Sequence, residues 1–354
     1  MKTRLFLFIL SLTLIGFIQA QDIHFSQYYA SPLTLNPAMT GLINGDFRVA
    51  ANYRGQWFTL PTNNSIAPYN TYQGSFDASL LRRKLRDNGL GVGAMFYADE
   101  AGNGSLATYA VMGSIAYHQA VDRYGKSRLS LGFQAGYIQK RIFQHDLFFE
   151  QQFDGTLNAF NPFLDNGESN FDQQGNFGYF DLNAGALFSS RATDNISYYF
   201  GFAANHLTTP GENFLNQQSE ENEIDMRYTA HGGLSIRTGK YFKILPTFLY
   251  MLQTQAQQIN LGSGFEYEFS DNFKGFAGVW TRVVGGIDGF QNDAAVVTIG
   301  GEVSNTRLGV SYDFNTSGFR GASKSVGALE VSVIYIHNQE EPGKISYDRF
   351  CPTF

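Results

Sequence analysis

Apolar and polar residues alternate along most of this chain. In Thr306–Asn315, Leu308, Val310, Tyr312 and Phe314 share one parity, while Arg307, Gly309, Ser311 and Asp313 share the other. A strand sends successive side chains to opposite faces, so this segment has one apolar face and one polar face. The same split predicts strands at Asp46–Trp57, Asn70–Leu80, Gly89–Asp99, Leu106–His118, Ser127–Lys140, Gly178–Ser189 and Ser197–Asn205. It continues through Arg227–Arg237, Lys243–Gln253, Gln258–Phe269, Phe273–Thr281, Asp293–Val303, Thr306–Asn315 and Gly327–His337. That makes about fourteen strands, an even number, as single-chain bacterial outer-membrane barrels require.

The charges set the register. Arg48, Arg54, Asp77, Asp99, Arg128, Asp181, Arg237, Glu266, Glu268, Glu302, Asp313 and Glu330 all fall on the parity opposite the apolar residues. Moving Arg or Lys to a lipid-facing midplane position costs roughly 2–4 kcal/mol, so such a segregation is expected of a membrane wall. A soluble antiparallel sandwich also keeps its charges on one face. Strand number, loop lengths and export separate the two. Connections after even-numbered strands are mostly short, as at Asp122–Lys126, Arg191–Ile196, Thr238–Phe242, Ser270–Asn272 and Ser304-Asn305. Those after odd-numbered strands are often longer: Phe58–Tyr69, Arg141–Phe177, His206–Met226, Arg282–Asn292 and Thr316–Val326. Short periplasmic turns and long outer loops are the barrel asymmetry, and it places both chain ends in the periplasm. The expected fold is all-β, a closed antiparallel transmembrane β-barrel with its apolar face in lipid. Two stretches fit less well. Pro246 removes a ladder donor inside its strand and marks a candidate bulge. Phe273–Thr281 carries Phe276 and Trp280 on the inward parity.

Export is written at the start of the chain. Lys2 and Arg4 precede an apolar core, Leu5–Ile18, too short to span a bilayer comfortably and closed by Gln19-Ala20. Residues 1–20 are expected to be a signal peptide cleaved after Ala20, leaving 354 − 20 = 334 residues and moving the formal charge from −6 to −8. No apolar run after Ala20 is long enough for a transmembrane helix. The acidic balance and the lack of a basic stripe argue against nucleic acid as a partner. Composition agrees with a barrel. The 33 Phe and 20 Tyr can form interfacial girdles, and the 38 Gly can line a crowded inner wall. A mean hydropathy of −0.21 does not oppose this, because lumen residues are polar. Cys351 stands alone, so no internal disulfide forms.

Candidate chemistry is sparse. Gly89-Leu-Gly91-Val-Gly93 has the glycine spacing of a dinucleotide loop, but it lies within a strand and no helix follows, so small inward residues are the better reading. Asn63-Asn-Ser65 and Asn103-Gly-Ser105 match a glycosylation pattern of little meaning in a bacterial outer membrane. His118, His206, His231 and His337 lie at strand ends or on the lumen parity, and none sits in a nucleophile motif. No catalytic residue, cofactor or metal site is predicted. Asp165–Asn176 gathers oxygen ligands without EF-hand spacing, and Gly211–Asp225 is acidic; both read as solvated outer loops. Phe148, Phe149, Phe153, Phe160 and Phe163 in the first long loop could form a docking surface. The inward-parity Met95, Tyr97, Met112, Leu249 and Met251 could line a solute pocket or pack against a plug.

Residues 21–45 are not strand-like. Ser31-Pro32 and Asn36-Pro37 each read as an N-cap followed by proline at the first helical position, and Gly41 can end the second turn. Two short helical turns carrying Leu33, Leu35, Met39 and Leu42 follow. Their apolar residues have no place in water, so the segment is expected to fold across the periplasmic mouth or into the lumen as a plug, with Leu33, Leu35 and Met39 on the inner wall. The barrel then spans 46–337. A periplasmic tail occupies 338–354, because Pro342 and Pro352 oppose a further strand. If the first and last strands pair, Arg54 and Glu330 fall close enough for an ion pair.

Phe25-Ser26-Gln27, Ser31-Pro32-Leu33, Leu35-Asn36-Pro37-Ala38 and Gly41 resemble the amino-terminal signature of the PorP/SprF family, and Cys351-Pro352-Thr353-Phe354 is similar to the carboxyl end of its members. Asn36-Pro37-Ala38 alone also resembles the start of FadL-type transporters of hydrophobic substrates. The family resemblance implies a non-enzymatic outer-membrane barrel beside the type IX secretion system. Such a barrel would capture or anchor a secreted surface protein such as a gliding adhesin. Phe25, Ser26, Gln27, Pro32, Asn36, Pro37 and Gly41 carry over as signature positions of structural character. The alternative function is an outer-membrane channel for small or hydrophobic solutes.

Overall fold

The computed structural model describes residues 22–57, 69–80, 88–101, 106–123, 125–142, 150–154, 159–161, 163–164, 176–211, 223–286, 289–318, 320 and 325–337. The strands are β1 (Phe47–Gln56), β2 (Tyr69–Leu80), β3 (Gly89–Ala101), β4 (Leu106–Ala120), β5 (Ser127–Ile142), β6 (Phe153–Asp154), β7 (Ala159–Phe160) and β8 (Asn176–Arg191). They continue as β9 (Ile196–Asn205), β10 (Arg227–Thr238), β11 (Phe242–Gln253), β12 (Ala256–Ser270), β13 (Phe273–Gly286), β14 (Gly289–Val303), β15 (Thr306–Asn315) and β16 (Val326–His337). All except β6 and β7 form one closed fourteen-stranded barrel in sequence order, and β6 pairs with β7 in a hairpin between β5 and β8. Every barrel pair is antiparallel, and β1 joins β16 from Phe47↔His337 to Gln56↔Ala328.

Burial follows parity. Val111, Phe133, Ile299 and Phe180 are more than half exposed on the outer wall, whereas Asp77, Asp181, Asp313 and Glu330 are at most 1% exposed inside. This inversion, with apolar residues outside and charges inside, is what a lipid environment demands of a sheet whose backbone groups must all be paired. β9 and β10 show the consequence at their outer ends, where Asn205 and Arg227 remain paired and polar.

Three local expectations are corrected. Pro246 makes no bulge: β11 keeps one register against β10 and against β12, and the missing donor shows only as absent pairs for Leu245 and Pro246 toward β10. The expected outer loop Arg282–Asn292 is mostly strand, since β13 runs to Gly286 and β14 starts at Gly289, with a register shift at Arg282/Val283 that absorbs the extra residue. Ser31 does not cap its turn through its side chain; its hydroxyl instead takes the Thr34 hydroxyl at 2.8 Å. Residues 1–20, the tail 338–354 with Cys351, the oxygen-rich stretch 165–175, and Phe148 and Phe149 lie outside the described residues.

The core of this barrel is its own N-terminal segment. Tyr28–Ala30 and Pro37–Met39 are 3-10 turns, and Pro32–Leu35 is a single α-helical turn between them. Asp22 lies beside His206 and Arg227 at the outer ends of β9 and β10. Gly41 lies against Ala78 and Gly91 at the opposite end of the wall. The segment therefore descends the whole lumen before Phe47 starts the first strand. Of the two placements open in the sequence, the lumen is the one adopted.

Candidate functional site

The plug is held by three polar clusters and one apolar layer. At the middle of the lumen, Leu33 packs with Met95, Ala110, Met112 and Ile138, and Tyr28, Tyr29, Leu35, Met39 and Leu42 pack with Leu187, Tyr199, Leu249, Trp280 and Val296. This explains the inward-parity apolar residues. Met95, Met112 and Leu249 serve the plug, and Tyr97 and Met251 flank it. The indole of Trp280 donates to Thr247 Oγ1 at 3.0 Å, and Tyr28 donates to the same oxygen at 2.7 Å, so the poor alternation of β13 is a fit to the plug.

The first polar cluster reads the turn at Asn36. Its Oδ1 accepts the Ala38 N–H at 2.9 Å, the N-cap bond the sequence predicts. Its Nδ2 lies 3.1 Å from the Ala186 carbonyl, 3.3 Å from that of Phe202 and 3.0 Å from His231 Nε2, a ring nitrogen that accepts here. Gly185, Gly201 and Gly132 stand opposite. A Cβ at Gly185 would strike Asn36 Oδ1, one at Gly201 would strike His231, and one at Gly132 would strike the Pro37 carbonyl. Three adjacent strands thus offer bare backbone where the turn approaches closest. Lower down, His118 Nε2 donates to the Thr40 carbonyl at 2.8 Å while its Nδ1 meets Ser130 Oγ at 2.7 Å. The Gly41 N–H donates to Asp77 Oδ2 at 2.7 Å, and Gly41 takes φ +67°, which glycine tolerates. Arg48 pairs with the same carboxylate at 2.9 Å and reaches the Met39 carbonyl at 3.2 Å.

The second cluster holds Ser26 and Gln27. The two oxygens of Glu330 accept their backbone N–H groups, each at 2.8 Å. Ser26 Oγ donates to Asp313 at 2.8 Å and receives Arg54 at 2.8 Å and Arg282 at 3.1 Å. Gln27 donates to Ser311 Oγ and to the Glu330 carbonyl, both at 3.2 Å, and accepts Ser332 Oγ at 2.7 Å. Arg54 pairs with Glu330 at 3.2 Å, as the sequence predicts, and with Asp313 at 3.0 Å, which also takes Arg282 at 3.0 Å. Phe25, Pro32 and Pro37 are buried. All seven signature positions therefore touch or fill the inner wall.

The third cluster was not legible as a site. His206 Nε2 lies 2.7 Å from Asp22 Oδ2 and its Nδ1 lies 2.9 Å from Asp181 Oδ2, with Arg227 3.1 Å from Asp22. Burial alone lowers a histidine pKa, but the Asp22 and Asp181 carboxylates outweigh it and raise His206 to about 9. Burial pushes Asp22 upward, and Arg227 and His206 overcome that and hold it well below the carboxylate range. The sequence signal was only a histidine on a strand end; its partner lies 184 positions away.

Two cavities flank Asp22 and hold about 30 Å³ each, one bordered by Met95, Met112 and His206, the other by His24, Met251 and Gln258. Among the described residues no group of three or more His, Cys, Asp or Glu could hold a metal ion. Of the aromatic docking candidates, Phe153 and Phe163 are exposed, and Phe160 lies on β7.

Residues 18–335 match the model of the type IX secretion system membrane protein PorP/SprF family. The chain belongs to that family. It is an outer-membrane β-barrel associated with the type IX secretion system, and its signature segment is the plug. No curated protein matches the sequence. Among solved structures it is similar to a deltaS2S3 mutant of the monoaromatic hydrocarbon channel TodX, with a TM-score of 0.52 at 11% identity, covering 87% of this chain and 94% of that one. The deltaS2 mutant gives 0.51 at 10%, covering 88% and 94%. The toluene transporter TodX of P. putida gives 0.50 at 10%, covering 86% and 93%. At such identity the likeness extends to the fold.

Proposed function

We propose that this barrel captures and anchors a secreted surface protein, of the adhesin kind, at the outer membrane, and that it does not conduct solutes. The observation that carries this reading is the filled lumen. Residues of the family signature occupy the bore, with the Asn36 turn seated on glycines and Ser26 and Gln27 bound to Glu330. The cavities left beside Asp22 hold about 30 Å³, room for about one water molecule and far from the 300–1,000 Å³ of a ligand pocket. A wall kept rigid around a plug suits a platform for a partner.

The test has two arms. Affinity purification of the barrel from outer membranes should retain a large secreted surface protein identified by mass spectrometry. The purified protein in planar bilayers should be nearly silent, and deletion of Gln21–Gly45 should raise its conductance. Porin-like conductance of the intact chain, with no surface protein retained, would favour the channel reading instead.

A further inference from the structure

We propose that the outer part of β8, Asn176–Asp181, is an open strand edge that receives an extended segment of the anchored surface protein as an added strand. This rests on the anchoring reading above.

The walls of the barrel are unequal in height. β5 and β8 pair as far as Arg141↔Asn176, but β8 and β9 pair only to Ala184↔Ala204. The shortfall has a local cause. His206 takes φ +57° and Thr209 φ +39°, left-handed values in non-glycine residues, and the Thr209 N–H closes a turn on the His206 carbonyl. The chain leaves the ladder there because His206 turns inward to Asp22 and Asp181. The cluster that fixes the end of the plug also ends β9 early.

What is left on β8 can be followed atom by atom. The Leu182 carbonyl still accepts the Leu207 N–H at 2.9 Å, but the Phe180 carbonyl has only the Thr208 hydroxyl at 3.3 Å. The Leu182 N–H is taken by the side chain of its own neighbour, Asp181, at 2.9 Å. Both carbonyls point toward β9, and the amide of a strand residue points the same way as its carbonyl. The N–H groups of Phe180 and, by the period of two, Gly178 therefore face away from β5. Among the described residues, no strand pairs with β8 on that side beyond Ala184. The donors that face this side are the N–H groups of Gly178 and Phe180, roughly 7 Å apart at about 3.3 Å per residue.

This edge stands at the water level. Opposite it on β5, the outward parity changes from Leu131, Phe133 and Tyr137 to Gln139 and Arg141, which pair with Gly178 and Asn176. Backbone groups there need a partner or water, and an unpaired edge is a template for β-addition. Phe180, 76% exposed, offers an anchor for an apolar side chain of the added strand. Just below, on the outer wall, Leu182 and Leu207 border an apolar groove of about 440 Å³ with Ile115, Phe133 and Ala135. The occupant that fits is an extended peptide with an apolar residue, and the partner the family provides is the exported protein.

Amide hydrogen exchange on the free barrel is the first test. Gly178 and Phe180 should exchange at least tenfold faster than Tyr179 and Phe177, whose amides face β5. Equal protection in the free protein would mean that another part of the chain already covers the edge, and the proposal fails. The second test uses the surface protein retained by the wild type. Phe180→Pro and Gly178→Pro remove edge donors and should cut the retained amount at least tenfold, while Phe180→Ala, which loses the side-chain anchor but keeps its N–H, should lose clearly less than Phe180→Pro. Heat-modifiable mobility on gels verifies that each variant is folded. If the proline variants misfold, exchange on the wild-type complex replaces them, and both amides should become protected there. Retention unchanged by proline, or lost equally with Phe180→Ala, overturns the strand edge and leaves anchoring intact. A wild type that retains nothing sinks both.

Discussion

Arg54 and Glu330 meet across the seam where the first and last strands join, with Nη1 and Oε2 3.2 Å apart. The same carboxylate binds the N–H groups of Ser26 and Gln27, so one side chain ties barrel closure to plug seating. Buried charges are costly unless each is paired and hydrogen-bonded, and here Asp313 and Arg282 complete the set.

Removing one member should therefore be severe. Asp313→Ala removes one carboxylate from Arg54, which keeps Glu330, and one from Arg282, which keeps Asp293. A loss of about 1–3 kcal/mol is expected, because the bonds that Ser26, Arg54 and Arg282 donate to this carboxylate are lost together. Urea unfolding followed by heat-modifiable mobility measures it. Glu330→Gln, which keeps shape and an acceptor, should cost clearly less.

The seat of the Asn36 turn should be sensitive from both sides. Asn36→Ala removes a cap and the amide bonds to Ala186 and Phe202, at about 1 kcal/mol each. Gly185→Leu would place atoms where Asn36 Oδ1 now sits. Both variants should keep the barrel but loosen the plug. The readouts are intermittent conductance in planar bilayers and protease access to residues 22–45.

The Asp22–His206 latch should respond to pH in a stated direction. His206 is raised from 6.5 to about 9, so its contribution is complete below about 6.5 and is lost as pH rises through about 9. Asp22 is depressed below 3.8, so its contribution is complete above that value and is lost only in strong acid. The latch is thus strongest between about pH 4 and 6.5 and opens on the alkaline side. Thiol labelling of Ile23→Cys, in a Cys351→Ser background, should accelerate near pH 9. His206→Gln should remove that alkaline step; an unchanged step would exclude His206 as its source.

On the outer wall, Ile299 is 62% exposed and pairs with Val310 near the middle of β15. Ile299→Arg should cost roughly 2–4 kcal/mol at the bilayer midplane and reduce assembled barrel in outer membranes. Its lumen-facing neighbour Thr298, replaced by Ala, should assemble normally.

Strand positions, inward and outward faces and the Arg54–Glu330 contact were determined by the sequence alone. They follow from a period of two and from the cost of charge in lipid, both local or pairwise constraints. The plug was half legible: prolines and caps excluded residues 21–45 from the ladder, and their apolar side chains required cover. What only the tertiary structure decided is where that segment lies and what grips it. Gly132, Gly185 and Gly201 become a seat, and Asp22 meets His206, because barrel closure brings strands far apart in sequence around one bore. The early end of β9 belongs to the same class. Nothing in Asn205-His206-Leu207 marks a break; the pull of His206 toward two carboxylates inside the barrel makes it, and that competition exists only once the wall has closed.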